Sequence, residues 1–305
     1  MKTPGVLLRV SITTNPEAED AVANLMEREL GEPPSIWSNE TDWISVVTVY
    51  STDSKATPTR LRPRLRDGLK AVGAFLDTSP GLIQIRRMPA RDWAESWKHH
   101  FRPIDIAGRL LVKPTWSRRK PRPGQAVVIL DPGLSFGTGQ HATTRFCLDQ
   151  IVGLRNPKQT QSLLDLGTGS GILAIAAAKL GYSPVQAMDF DPDCVRIARE
   201  NAGLNALSGA IRFEQADVTR LPRRVRARFH VVCANLMHDL LLAERERILA
   251  RVENGGTLVL AGILTTQFKS VRDAYEKSGL RLAATRIGGS FFRYGCGVSA
   301  TSSKR

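Results

Sequence analysis

Cysteine is scarce in this chain, with four in 305 residues (Cys147, Cys194, Cys233, Cys296) and no C-x-x-C pair. That excludes a disulfide scaffold and a cysteine zinc cluster, and it fits a reducing cytoplasm. Long apolar runs are missing too: none approaches the ~18 uncharged residues of a membrane span. The first apolar patch, Val6-Leu7-Leu8, is broken by Arg9 and comes too early for a signal peptide. No clustered His/Asp/Glu set suggests a metal, no Ser-His-Asp pattern suggests a hydrolase, and no internal repeat is visible. Acidic charge is the minority sign, with 29 Asp and Glu against 43 Lys and Arg and a net charge of +14.

What remains is ordinary for a soluble globular protein: 42% hydrophobic and 24% charged residues. At roughly 150 residues per domain the length suggests two domains. The positive excess is uneven. Residues 1–103 carry 14 basic and 13 acidic groups, residues 104–160 carry 9 and 3, and residues 161–305 carry 20 and 13. A near-neutral front half is joined to a basic back half, whose field attracts polyanions, RNA above all.

Residues 5–14 read as a strand. An acidic helix follows from Pro16 to about Gly31, then strands near 34–39 and 43–50, a helix over 57–72 and a strand near 82–88. This βαββαβ order is an α+β sandwich with nothing catalytic in it. Residues 91–102 predict a helix with Trp93, Trp97 and Phe101 on one face, a packed seam between domains. A basic, proline-broken loop covers 117–123 and a strand 126–130. Strands and helices then alternate: 161–166, 171–180, 184–188, 192–204, 211–214, 229–234, one helix over 238–252, 256–260, 266–279, and terminal strands near 281–287 and 291–299. Such alternation implies α/β architecture with a mostly parallel, twisted sheet covered on both faces. The expected organisation is a small α+β domain at 1–88, an aromatic linker helix and basic connection at 89–122, and an α/β domain at 123–305.

The sharpest local signal is Leu163-Leu164-Asp165-Leu166-Gly167-Thr168-Gly169-Ser170-Gly171, directly before an Ala-rich helix. Glycines at a strand-to-helix turn let a ligand approach the backbone. Asp189 ends the next strand, 22 residues after Gly167, where a carboxylate can accept both hydroxyls of a ribose. Dinucleotide sites favour G-x-G-x-x-G and a pyrophosphate at the helix N-terminus. Here the spacing is G-x-G-x-G, and the carboxylate of Asp165 would repel a pyrophosphate. It suits a cofactor bearing an ammonium and a sulfonium, and S-adenosylmethionine is such a molecule. Asp217, after the strand at 211–214, is placed either to accept the adenine amino group or to cap a turn.

The segment Asp131-Pro132-Gly133, Phe136-Gly137-Thr138-Gly139, His141, Thr143-Thr144 resembles the D-P-G-x-x-F-G-T-G-x-H-x-T-T loop of the PrmA family, methyltransferases of large-subunit ribosomal protein eleven. The resemblance extends to Trp93, Trp97, Phe101 and Pro103, to Val112, Pro114 and Trp116, and to the Asp165–Gly171 turn. It continues through Asp189-Phe190-Asp191-Pro192, Ala234-Asn235-Leu236 and Ala261-Gly262-Ile263-Leu264. It implies a Rossmann-like class I methyltransferase domain behind a small ferredoxin-like substrate-recognition domain. It also implies cofactor contacts at Thr144, Gly167, Asp189 and Asn235, with Phe136 and His141 in a loop over the methionine end. Gly169 belongs to the same turn. Asn235 would align acceptor and cofactor, because Asn235-Leu236-Met237-His238 stands where N-P-P-Y grips planar nitrogen in other methyltransferases. That disfavours adenine or glutamine and permits a flexible alkyl amine.

The expected activity is methylation of a lysine ε-amine or N-terminal α-amine of a large-subunit ribosomal protein, without metal and in the cytoplasm, with RNA close to the basic surface. The rivals are an RNA methyltransferase, a lysine methyltransferase of a non-ribosomal protein, and an NAD(P) oxidoreductase. Arg220, Arg223, Arg224, Arg226 and Arg228 are expected to flank the acceptor site as a solvated loop or an anion contact. His230 stands where the family usually has Asp, and the C-terminal segment lacks its usual E-W ending.

Overall fold

The computed structural model describes the chain apart from residues 1–5, 16–17, 33, 40–43, 52, 54–55, 77–80, 90–102, 132–141, 264, 287–295 and 303–305. The aromatic helix expected at 91–102, and Phe136 and His141, therefore lie outside the described residues. Two compact units are present, Met1–Phe101 and Arg102–Arg305.

The first unit runs β1 (Val6–Thr14), α1 (Glu19–Leu30), β2 (Ser35–Asn39), β3 (Ile44–Ser51), α2 (Pro58–Leu76) and β4 (Leu82–Pro89). The strands form one sheet in the order β2-β3-β1-β4, with every neighbour antiparallel. Alternation in β1 and β3 sends Val10, Ile12, Val47 and Val49 to one face. There they meet Val22 and Met26 of α1 and Leu61, Leu65 and Leu69 of α2, which recur every four residues along one helical face. Gly31 stops α1 in the left-handed region (φ 69°), its amide bonding back to the Glu27 carbonyl at 2.7 Å.

The second unit opens with a small sheet of β5 (Ile104–Ile106), β6 (Leu110–Lys113) and β7 (Ala126–Ile129). Sequence patterning does not reveal β5 and β6. They are three and four residues long, and the Ala107-Gly108 turn between them, both residues at positive φ, gives no periodicity to read. Next come α3 (Ala142–Leu154), β8 (Leu163–Leu166), α4 (Ile172–Lys179), β9 (Val185–Asp189), α5 (Pro192–Leu204) and β10 (Ile211–Gln215). The chain continues through β11 (Phe229–Asn235), α6 (His238–Ala243), α7 (Arg245–Leu249), β12 (Val252–Ile263), α8 (Phe268–Lys277), β13 (Leu280–Arg286) and β14 (Cys296–Ser302).

Two expectations are corrected here. The single helix over 238–252 is broken at Glu244 (φ −102°, ψ 18°) and ends before Val252, because the Phe229 amide takes the Arg251 carbonyl and draws that residue to the sheet. The last strand extends three residues beyond the expected 299, over Cys296–Ser302, in register with both β12 and β13; the expected 291–295 lie outside the described residues.

The large sheet has the order β10-β9-β8-β11-β12-β14-β13. The pairings of β10, β9, β8, β11 and β12 are parallel, and only β14 runs against its neighbours. Leu163, Leu164 and Leu166 are fully buried, as a parallel strand covered on both faces requires. Residues Ile172–Ala177 of α4 are all buried, Ile172, Leu173 and Ile175 filling the core while Ala174, Ala176 and Ala177 let neighbours pack close. Since β8 leads outward to β9 and β10 while β11 lies on its other side, the strand order reverses between β8 and β11. Ligands of open α/β sheets bind outside the carboxyl ends of the strands at that crevice.

Candidate active site

The turn after β8 is tied to the end of β9. The amides of Gly167 and Thr168 both donate to the Met188 carbonyl at 2.9 Å, and the Gly169 amide donates to Asp189 Oδ2 at 2.9 Å. Asp189 Oδ1 accepts from the Asp191 amide at 3.1 Å. Two backbone donors thus fix a carboxylate that is only 7% exposed. Each oxygen keeps a second acceptor position, which is what a vicinal diol needs. Asp191 caps α5 by accepting from the Asp193 amide at 2.8 Å, and Pro192 starts the helix.

Asp165 is fully buried inside β8. Its Oδ2 accepts from Thr168 Oγ1 at 2.7 Å, whereas Oδ1 has no well-formed hydrogen bond, the Ala174 amide giving it only weak support. Burial raises its pKa to about 7, and the nearby charge of Asp189 adds to the rise. A buried carboxylate with an unpaired oxygen beside a glycine turn fits a ligand that brings its own cation. It does not fit a pyrophosphate. The residues present therefore suit S-adenosylmethionine.

Asn235, half-buried, is the last residue of β11, and the register Cys233–Asp165, Ala234–Leu166 carries it alongside Gly167. The next residue locks the geometry. A Cβ on Gly167 (φ 73°) would fall 2.4 Å from Leu236 Cδ2, and one on Gly262 (φ 83°) would fall 2.5 Å from the Leu236 carbonyl oxygen and 3.2 Å from Asn235 Oδ1. Leu236 is thus held between two glycines that no other residue type can replace without strain. Asp189, Gly167 and Asn235 end three adjacent strands, so the row spans about 10 Å at the usual strand spacing.

The other expected residues are placed as follows. Thr144 is buried in the first turn of α3, directly after the undescribed segment. Asp217 lies two residues beyond β10, where it caps a single 3₁₀ turn by accepting from the Thr219 amide at 2.9 Å; that amide holds its pKa below the usual carboxylate value. His238 starts α6, its Nε2 2.9 Å from Asp239 Oδ1. His230 is at the opposite, amino end of β11, with Nδ1 2.9 Å from Ser162 Oγ and 3.2 Å from Glu253 Oε2. Among the described residues no group of three or more His, Cys, Asp or Glu could hold a metal ion.

Sequence reasoning misses Phe190 and Met237, which are 72% and 75% exposed beside Asp189 and Asn235. A large apolar residue directly after the last polar residue of a strand is the signal that marks Phe190; Met237, two residues beyond Asn235, has no such signal.

The arginine run does not flank this edge. Strands β10 and β11 run in the same direction, so the connection between them must return to the amino ends. It has done so by Pro222, whose carbonyl is held at 3.3 Å by both terminal nitrogens of Arg251, the residue before β12. Only Arg220, 3.8 Å from Asp217, stays near the carboxyl edge.

A family model described as "Ribosomal protein L11 methyltransferase (PrmA)" matches residues 7–292. The chain is 39% identical over 235 residues to a ribosomal protein L11 methyltransferase of Trichlorobacter lovleyi, covering 74% of this chain and 76% of that one. It is 36% identical over 276 residues to one of Geobacter metallireducens, covering 87% and 89%. A crystal structure of a ribosomal protein L11 methylase from Lactobacillus delbrueckii subsp. bulgaricus superposes with a TM-score of 0.59 at 27% identity, covering 67% of this chain and all of that one. With the glycine turn, the row of Asp189, Gly167 and Asn235, and this match over most of its length, the chain belongs to the PrmA family of class I S-adenosylmethionine-dependent methyltransferases.

Proposed function

We propose that this enzyme methylates an amine of a large-subunit ribosomal protein, either a lysine ε-amine or the N-terminal α-amine. The observation that carries the reading is the row of Asp189, Gly167 and Asn235 across three adjacent strand ends, closed by Leu236 where a planar-nitrogen motif would stand. The names of the relatives support the ribosomal protein as acceptor.

In this reading S-adenosylmethionine supplies an electrophilic methyl on a positive sulfur. Asp189 holds the ribose hydroxyls, Asp165 faces the ammonium, Thr144 lies toward the methionine carboxylate, and Asp217 toward the adenine amine. Phe136 and His141 belong to the loop over the methionine end. Phe190 offers an apolar face to the base. Asn235 orients the acceptor nitrogen, whose lone pair forms the new N–C bond as the C–S bond breaks. The methylated ammonium then releases its proton to solvent. Presenting a lysine neutral at pH 7 costs about 4–5 kcal/mol. Desolvation and the nearby sulfonium charge reduce that cost, and in-line alignment supplies several kcal/mol more.

The first unit, with its neutral charge and βαββαβ order, serves in this reading as a ferredoxin-like recognition domain for the protein substrate. In this reading the second unit, Arg102–Arg305, is the methyltransferase domain, and the small sheet of β5, β6 and β7 belongs to it. The basic back half supports an added contact with RNA near the acceptor, in a cytoplasmic setting. The test is transfer of tritiated methyl from S-adenosylmethionine to separated large-subunit proteins and, in parallel, to ribosomal RNA. Label on a lysine or N-terminal amine of one protein is expected, and label in RNA alone would overturn the reading.

A further inference from the structure

The connection between β10 and β11 carries five arginines in nine residues, and its one carboxylate, Asp217, lies 3.8 Å from Arg220 at the start of the run. Arg223, Arg224, Arg226 and Arg228 are all exposed. The acidic groups facing them are few. Glu246 of α7 meets Arg223 at 3.2 Å, both side chains 67% exposed, and Glu253 is turned toward His230. An exposed pair of this kind contributes at most about 1 kcal/mol and yields readily to a better anion. Arg224, Arg226 and Arg228 have no ion pair among the described residues.

The start of the loop is pinned. The Leu221 carbonyl accepts from Arg247, and the Pro222 carbonyl from Arg251, a guanidinium that is itself buried with no carboxylate partner among the described residues. The arginines therefore project from a fixed base at the amino ends of the strands. The seven residues of β11 separate Arg228 from Asn235 by about 20 Å. An anion held there leaves the acceptor edge open.

Resting on the reading that RNA lies near the acceptor protein, we propose that Arg223–Arg228 form a phosphate-binding surface for RNA, on the sheet edge opposite the methyl-transfer site. Guanidinium favours this partner, because its planar fork bonds two phosphate oxygens at once and it sheds water more easily than an ammonium.

The test is fluorescence anisotropy of the full chain with a labelled single-stranded RNA of about 20 nucleotides, and separately with labelled polyglutamate, at several salt concentrations. A variant carrying Arg224→Gln, Arg226→Gln and Arg228→Gln is expected to bind the RNA at least tenfold more weakly at about 50 mM salt. The slope of log K against log salt should shrink by about 2, from roughly 0.7 per lost phosphate contact. Its S-adenosylmethionine affinity, measured by calorimetry, should match wild type and so confirm the fold. Equal RNA binding by both proteins would overturn this placement, and failure of both to bind at low salt would overturn the RNA contact itself. Tighter binding of polyglutamate than of RNA, lost in the same variant, would make the surface a site for acidic protein instead.

Discussion

At the carboxyl ends of β8, β9 and β11 the polar functional side chains are short and withdrawn: Asp165 and Asp189 are buried, and Asn235 is half covered. At the amino end of β11 they are long, exposed and cationic. The difference follows from the ligands each edge suits. A cofactor bearing an ammonium and a sulfonium needs fixed anionic and amide groups at short range, and an arginine field beside it would oppose binding. Some 20 Å of strand separates the two edges, more than two Debye lengths at physiological salt, so each can keep its own sign. One connection, from Asp217 to Arg228, passes between them.

The sharpest way to break this division is at the carboxyl edge itself. Gly262→Ala places a Cβ 2.5 Å from the Leu236 carbonyl oxygen in a left-handed backbone. The backbone has no flexible end to yield there, unlike the Leu236 side chain that meets Gly167. Conformational strain and the enforced shift should cost about 3 kcal/mol, or about 6–12 °C in Tm. Displacing Asn235 by about 1 Å should lower kcat about 100-fold. A variant with native turnover would show that Leu236 does not set the acceptor geometry.

Asp189→Ala comes next. It removes the acceptor of the Gly169 and Asp191 amides as well as the proposed ribose contact. Loss of two charge-assisted hydrogen bonds should weaken S-adenosylmethionine binding by roughly 2–4 kcal/mol, about 30- to 1000-fold. The loosened turn should lower stability by about 1 kcal/mol. A dissociation constant within twofold of wild type by calorimetric titration would refute the assignment.

Asp165 should give a smaller, pH-dependent effect. Its folded pKa is raised to about 7, whereas an exposed Asp ionises near 4. Between those values the folded chain holds a proton that the unfolded chain has lost. Stability of the cofactor-free protein should therefore fall as pH rises from about 4 to about 7. The ammonium of S-adenosylmethionine favours the ionised form, so its affinity should rise up to about tenfold from pH 6 to pH 8. Asp165→Asn should flatten both profiles. An unchanged pH dependence of binding in that variant would remove Asp165 from the ammonium site.

The residues that make the carboxyl edge were legible in the sequence because each directly follows a readable strand. Asp165 and Gly167 sit at a strand-to-helix switch, Asp189 precedes Pro192, and Asn235 ends the apolar run Val231–Ala234. What was not legible depends on three-dimensional return. Ile104–Ile106 and Leu110–Lys113 become strands by pairing with Ala126–Ile129, a contact no local pattern records. The helix break at Glu244 has no Gly or Pro to announce it. Arg228 is close to Asn235 in sequence, yet an extended strand places them at opposite edges. Proximity along a strand is separation in space.

His230 gives the mildest test of the same division. In sequence it falls between the arginine run and Asn235. The structure puts it at the amino edge, where Nδ1 accepts from the Ser162 amide at 3.2 Å and its own amide donates to Ser162 Oγ at 3.1 Å. His230→Ala removes one acceptor from a nearly buried serine and leaves the backbone bond in place. The expected cost is about 1 kcal/mol, or about 2–4 °C in Tm. S-adenosylmethionine affinity and kcat should stay within twofold of wild type, because no polar contact of His230 reaches the row of Asp189, Gly167 and Asn235. A tenfold loss of cofactor affinity at unchanged Tm would show that β11 transmits between its ends, and the two edges would then have to be treated as one coupled site.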